Sequence, residues 1–140
     1  MPDTPMHSVS VAGIVVDDQD RVLLIQRRDN GNWEPPGGVL ELGETFEEGV
    51  KREVLEETGV LVEVDRLTGV YKNMRRGVVA LVFRCSQVAG SPRETAEAAS
   101  VAWVVPSAAT ALMSEAYAVR VTDALTDGCK TRHHDGSALT

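Results

Sequence analysis

Glutamates crowd one stretch of this chain: Glu41, Glu44, Glu47, Glu48, Glu53, Glu56 and Glu57. A charge run is usually a solvated face, but the spacing of three of these residues argues for chemistry. On a helix Glu56 lies about 60° to one side of Glu53 and Glu57 about 40° to the other. All three carboxylates therefore project from one face. Glu53 and Glu57 are a like-charged i,i+4 pair, which costs a few tenths of a kcal/mol in a bare helix and more where burial is partial. Arg52 can pair with Glu48 or Glu44, but the spacing points it away from the centre of that face. A hard divalent cation resolves the repulsion, because Mg²⁺ or Mn²⁺ takes oxygen ligands and keeps several waters. Carboxylates bridged by metal can in turn hold a diphosphate.

The elements that must position these groups are legible. Thr45 with Glu48 three residues on forms a capping box, which predicts a helix over residues 45–58. Phe46, Val50 and Val54 make its apolar stripe, and Gly59 stops it. Before it, residues 8–16 and 21–27 read as two strands joined by the polar turn 17–20. Residues 29–38, rich in Gly, Pro and Asn, read as a loop. Strand-like stretches follow at 60–64, 67–71, 78–85 and 101–105. Pro106-Ser107 opens a second helix running to about Leu125, with Gly128 just beyond. Several strands and two separated helices imply an α/β class fold, layered around a mixed sheet. The reading is one domain over residues 1–127, followed by a disordered tail over 128–140.

Composition narrows the function classes. The chain has 140 residues, 43% hydrophobic and 25% charged, as in an ordinary globular protein. Its formal net charge of −7 argues against a grip on DNA, RNA or an anionic membrane. The start, MPDTPMHS, lacks the pattern of a signal peptide, and no apolar run approaches a bilayer span. Cys85 sits in an apolar run and Cys129 in a polar one, which suggests a reducing compartment rather than a disulfide framework. The expected location is cytoplasmic.

At the glutamates a family resemblance becomes specific. Gly38, Glu44, Arg52, Glu53, Val54, Glu56, Glu57, Gly59 and Val60 occupy every defined position of the Nudix box, GX5EX7REUXEEXGU, so the chain resembles that family. A chance match in a chain this long is on the order of 10⁻⁸ from average residue usage. The flanks are similar too: VLLIQRR at 22–28, WEPPGG at 33–38 and ELGE at 41–44, with Pro35 the less usual element. Glu97, six residues before Trp103, resembles a pattern that members carry after the box.

The resemblance implies an α/β/α sandwich with a loop–helix–loop at the box and a C-terminal helix. It implies a hydrolase that cleaves a nucleoside-diphosphate linkage with Mg²⁺ or Mn²⁺. Glu53, Glu56 and Glu57, with the Gly38 carbonyl, look like metal ligands. Glu44 and Arg52 look like a structural pair. The general base stays open between Glu53, Glu56 and the later Glu97, which has Glu94 as a neighbour and reads equally as an exposed loop acid. Arg27 and Glu41 are candidate substrate contacts, although Arg27 could also be a plain surface arginine. Gly49 either leaves room for metal or phosphate on the acidic face or is tolerated slack. Trp33 reads as loop packing and Trp103 as core, and His7, His133 and His134 receive no site role.

A second reading is a Nudix-fold sensor that binds a nucleotide without hydrolysing it. The intact box and the absence of an appended DNA-binding segment weigh against it. No proline lies between Val60 and Pro92, which counts against the ADP-ribose pattern, and Tyr71 comes too soon for the dinucleoside-polyphosphate tyrosine. By elimination the expected substrate is a (d)NTP or oxidised (d)NTP, cleaved to a nucleoside monophosphate and pyrophosphate. ADP-ribose or another nucleotide conjugate is the alternative. A homodimer is one assembly the resemblance leaves open.

Overall fold

The computed structural model describes residues 3–140; Met1 and Pro2, the first residues of the expected domain and of the leader reading, lie outside them. Ser8–Val16 form β1, Val22–Arg27 β2, Trp33–Glu34 β3, Gly37–Val39 β4, Phe46–Thr58 α1, Val60–Asn73 β5 and Val78–Gly90 β6. Ala98–Val104 form β7, Pro106–Leu112 α2, Glu115–Ala124 α3 and Lys130–His134 β8. The sheet runs β3-β2-β1-β6-β5-β8, with β4 pairing to β1 and β7 to β2. β1 is parallel to β6 and β5 to β8, while the remaining pairs are antiparallel.

Alternation along β1 explains the layers. Successive side chains on a strand face opposite sides, and here both sides are apolar. Ala12, Ile14 and Val16 join Leu24, Val82, Val121 and Ala124 in the core beneath α2 and α3. Val11 and Val15 join Val50, Val54, Val60 and Phe83 in the core beneath α1. A strand buried on both faces needs helices on both, which is the α/β/α sandwich. Val50 and Val54 are fully buried, each contributing about 1.5–3 kcal/mol of burial.

α1 starts and stops where its sequence says. The Thr45 hydroxyl accepts the Glu48 N–H, the Glu48 carboxylate accepts the Thr45 N–H, and Gly59 takes a left-handed φ of 80°. The expected apolar stripe is corrected at its first member, because Phe46 is 47% exposed. Leu40 packs against this core instead and passes over Gly49, where a Cβ would come within 2.6 Å of Leu40 Cδ1. Gly49 thus makes room for a core side chain, not for metal or phosphate.

Other expectations are corrected by pairing. The strands expected at 60–64 and 67–71 are one strand, β5, with register shifts where it bends. The loop over 29–38 contains β3 and the start of β4. The second helix divides at Met113 and Ser114, which are both extended. The tail over 128–140 is not disordered. β8 ladders onto β5, Arg132 bonds Asp123 twice, and the Leu139 N–H reaches the Glu115 carboxylate. Its polarity misled the reading because its polar groups find partners inside the fold.

Candidate active site

Arg52 is the centre of the box. It gives Glu44 two hydrogen bonds, Nε to Oε2 at 3.0 Å and Nη2 to Oε1 at 2.6 Å. Glu44 also accepts the Glu41 N–H at 2.9 Å. Hydrogen bonds from Arg52, then from that backbone, hold the Glu44 carboxyl down to about 2. The pair ties the loop before α1 to the helix. Arg52 does not point away from the acidic face as the spacing suggested. Its Nη1 reaches Glu53 Oε1 at 2.8 Å and Glu56 Oε2 at 3.4 Å.

The three box carboxylates share one face in unequal surroundings. Glu57 is buried, Glu53 nearly so, and Glu56 is open to solvent. Burial, then the hydrogen bond with Glu53 and the charges of Glu53, Glu97 and Glu34, push the Glu57 carboxyl up to about 9. The Glu53 carboxylate lies against Gly38, where a Cβ would sit 2.7 Å from its carbon and both oxygens.

Among the described residues no three His, Cys, Asp or Glu side chains already form a metal cage. The donors nevertheless fit a hard cation. Two acidic side chains are held together with no cation between them except the one arm of Arg52, and all the groups on offer are oxygens. The glycine at position 38 keeps its backbone open to the same point.

Glu97 lies just before β7, exposed and near enough to Glu57 to raise it. Glu94, also exposed, pairs with Arg28. Arg27 lines a cleft that also includes Gly38, but its donors are taken by Asp29 at 2.8 and 2.9 Å and by Glu34 at 3.1 Å. Glu41 is exposed, 3.8 Å from Arg52 Nε, and is not on that cleft. Trp33 packs at the edge of one core and Trp103 at the edge of the other.

The cleft has a floor that the sequence reading missed: Arg120, Tyr117 and Tyr71, with His134 from β8. One signal was available. Ala116, Arg120 and Ala124 recur at i, i+4 and i+8, placing an arginine inside an apolar stripe. His134, assigned no role, is 1% exposed.

Residues 6–125 match the profile of the NUDIX domain. The chain belongs to the Nudix family. It is 57% identical over 136 residues to a MutT-like protein of Streptomyces ambofaciens, covering 96% of this chain and 88% of that one. A Methanocaldococcus jannaschii protein described as an ADP-ribose pyrophosphatase is 41% identical over 90 residues, 59% of this chain and 53% of its own. A Bacillus subtilis protein described as a putative 8-oxo-dGTP diphosphatase is 32% identical over 102 residues, 72% and 68% of the two chains. Among solved structures, a Nudix hydrolase from Nitrosomonas europaea superposes with a TM-score of 0.78 at 22% identity, covering 94% of this chain and 81% of that one. As a Nudix hydrolase the protein acts on phosphorus-containing anhydrides of small nucleotide substrates, and the family generally uses divalent metal. No helix among the described residues is long and apolar enough to cross a membrane.

Proposed function

We propose that this Nudix hydrolase cleaves a nucleoside triphosphate, ordinary or oxidised, to a nucleoside monophosphate and pyrophosphate. The observation that supports the site assignment is the Glu53 carboxylate, which lies against Gly38 of the cleft and is hydrogen-bonded to the buried Glu57. Glu53, Glu56, Glu57 and the Gly38 carbonyl would hold Mg²⁺, or Mn²⁺ in its place. Bound there, the metal supplies charge neutralisation for the diphosphate oxygens. Glu56 is free to turn toward it, being exposed and held only by a 3.4 Å contact to Arg52.

Glu97 is the residue we place as proton acceptor. Glu53 is engaged by Arg52 and Glu57, and Glu56 faces Arg52. Glu97 offers an exposed carboxylate beside Glu57. Water oxygen adds to one phosphorus as one of its protons passes to Glu97. The bridging oxygen departs with the other product, pyrophosphate from attack at the α-phosphorus or the monophosphate from attack at the β-phosphorus. Arg52 and Glu44 hold the loop and helix in place while this occurs.

Product analysis tests this reading. The protein would be incubated with Mg²⁺ or Mn²⁺ and a panel of (d)NTPs, 8-oxo-dGTP, ADP-ribose, NADH, a sugar nucleotide and a dinucleoside polyphosphate. Monophosphate and pyrophosphate from a triphosphate, abolished by EDTA, are expected. Release of AMP and ribose 5-phosphate from ADP-ribose with triphosphates untouched would replace the substrate assignment. Nucleotide binding without turnover would favour a sensor.

A further inference from the structure

Among the described residues, Arg120 Nε and His134 Nε2 are the buried side-chain polar atoms that lack a hydrogen-bond partner. Both residues line one cleft. The Arg120 guanidinium is sandwiched between rings, 5.0 Å from the Tyr71 centroid and 4.6 Å from that of Tyr117. Ring faces offset part of the cost of burying a cation, but they leave its planar N–H fork unused. His134 accepts the Gly136 N–H at Nδ1, 2.9 Å away, so its ring proton sits on Nε2. Both unpartnered atoms are therefore donors. Folded proteins pair nearly all buried polar atoms, and leaving one unmet is costly. Two orphan donors in the same cleft mark a place where an acceptor arrives from outside.

The cleft indicates which part of a substrate brings it. The cleft crosses the sheet from Val39, through its neighbour Ser10 and then Ala80, to Tyr71. Gly38 at the first end lies against the Glu53 carboxylate, and Arg120 and His134 line the cleft with Tyr71. With the diphosphate at the acidic end, the floor receives the part remote from the bond that breaks, which in a nucleotide is the base. A carbonyl edge presents acceptors, as guanine does with O6 and N7; an amino edge presents N–H groups to N–H groups. We infer that Arg120 and His134 bind the oxo edge of a nucleobase, and so select keto bases over amino bases. Guanine, hypoxanthine and uracil fit, while adenine and cytosine place a donor where the floor needs an acceptor. A site built around such hydrogen bonds rejects the mismatched analogue strongly, because its buried groups are then left unpaired. This inference rests on the nucleotide reading of the active site given above.

The test compares paired substrates and then isolates the base. With Mg²⁺ present, kcat/KM for GTP, ITP and UTP is expected to exceed that for ATP and CTP by about 10–100-fold, the range for a good bidentate base contact. Arg120→Met should collapse that preference toward unity, mainly through KM for the keto substrates. Its thermal stability should hold, since the ring contacts given up are offset by removing a buried cation whose Nε has no hydrogen-bond partner. Equal turnover of keto and amino substrates by the wild-type protein would overturn the inference.

A binding arm uses the unaltered protein and needs neither turnover nor metal. Guanosine, adenosine and inorganic pyrophosphate are each titrated while the Arg120 Nε–Hε and His134 ring resonances are followed. Guanosine shifting both signals where adenosine does not is the expected result. Pyrophosphate shifting them while guanosine does not would make the floor an anion site and overturn the base assignment. A guanosine-specific shift in a protein that hydrolyses no nucleotide would leave the base site standing and remove the hydrolase reading instead.

Discussion

Arg132 grips Asp123 through two parallel hydrogen bonds, Nε to Oδ2 at 2.8 Å and Nη2 to Oδ1 at 2.9 Å. Asp123 also accepts the buried Tyr71 hydroxyl at 2.7 Å. This fork joins β8 to α3, and Tyr71 extends it to β5. Asp123→Ala leaves the tyrosine hydroxyl unmet and is expected to destabilise the protein by about 2–3 kcal/mol, toward the low end for a buried pair because Arg132 is one-third exposed. Urea denaturation measures this. A loss under about 1 kcal/mol would mean that β8 docks by its backbone ladder alone.

The same carboxylate gives a pH signature. Burial opposes its ionisation, but the hydrogen bonds from Arg132 and Tyr71 prevail and hold Asp123 below the ordinary carboxylate range. A depressed acid contributes stability that is present above its unfolded pKa, about 3.9, and is lost as pH falls through the folded value. The stability gap between wild type and Asp123→Asn should therefore be full at pH 6–7 and shrink below about pH 4. A gap unchanged at acid pH would show that ionisation of Asp123 is not what stabilises the fork.

Gly38→Ala separates the site from the fold. The added methyl would meet the whole Glu53 carboxylate at 2.7 Å, while Gly38 has no positive φ to strain an alanine. Metal-dependent turnover is expected to fall by about 100-fold, the scale for a misplacement of roughly 1 Å, with little change in melting temperature. Unimpaired turnover would remove Gly38 and Glu53 from the proposed cluster.

Glu56→Gln and Glu57→Gln should both fold and lose turnover by orders of magnitude. Raised to about 9, the Glu57 carboxyl is protonated at neutral pH without metal. Glu57→Gln therefore replaces one neutral hydrogen-bonding group by another, and its metal-free form is expected to melt no lower than wild type. Saturating Mg²⁺ should raise the melting temperature of wild type and do so less in either variant. Normal turnover in both would sink the metal assignment.

Glu97→Gln tests the proton acceptor. A general base contributes about 10²–10⁴-fold, so kcat should drop on that scale while the Mg²⁺-induced thermal shift remains. A variant with full kcat would return the base to Glu53 or Glu56.

Thiol reactivity should split cleanly. Burial pushes the Cys85 thiol up to about 12, with the charge of Asp65 adding to it, whereas Cys129 is exposed. Native protein at neutral pH should react with a disulfide reagent at one thiol, Cys129, and at a second only after unfolding. Rapid modification of both would show that the core around Cys85 opens readily.

What the sequence determined by itself is the geometry that a helix repeats every 3.6 residues. The capping box at Thr45 and Glu48, the stop at Gly59, the burial of Val50 and Val54 and the shared face of Glu53, Glu56 and Glu57 all follow from neighbours in the chain. Even there, Phe46 escaped the stripe because Leu40, arriving from the preceding loop, took its place over Gly49. The tertiary structure alone decided the rest. Tyr71, Arg120 and His134 come from β5, α3 and β8, and no local period relates them. They meet because β8 adds to the sheet beside β5 while α3 packs across it. That pairing also turned a polar tail into a strand, since its donors and acceptors are met by residues more than fifty positions away, as Lys130 pairs Gly69 and His134 pairs Asn73. Side-chain type reports whether a group can be buried. Only the fold reports whether its partner will be there.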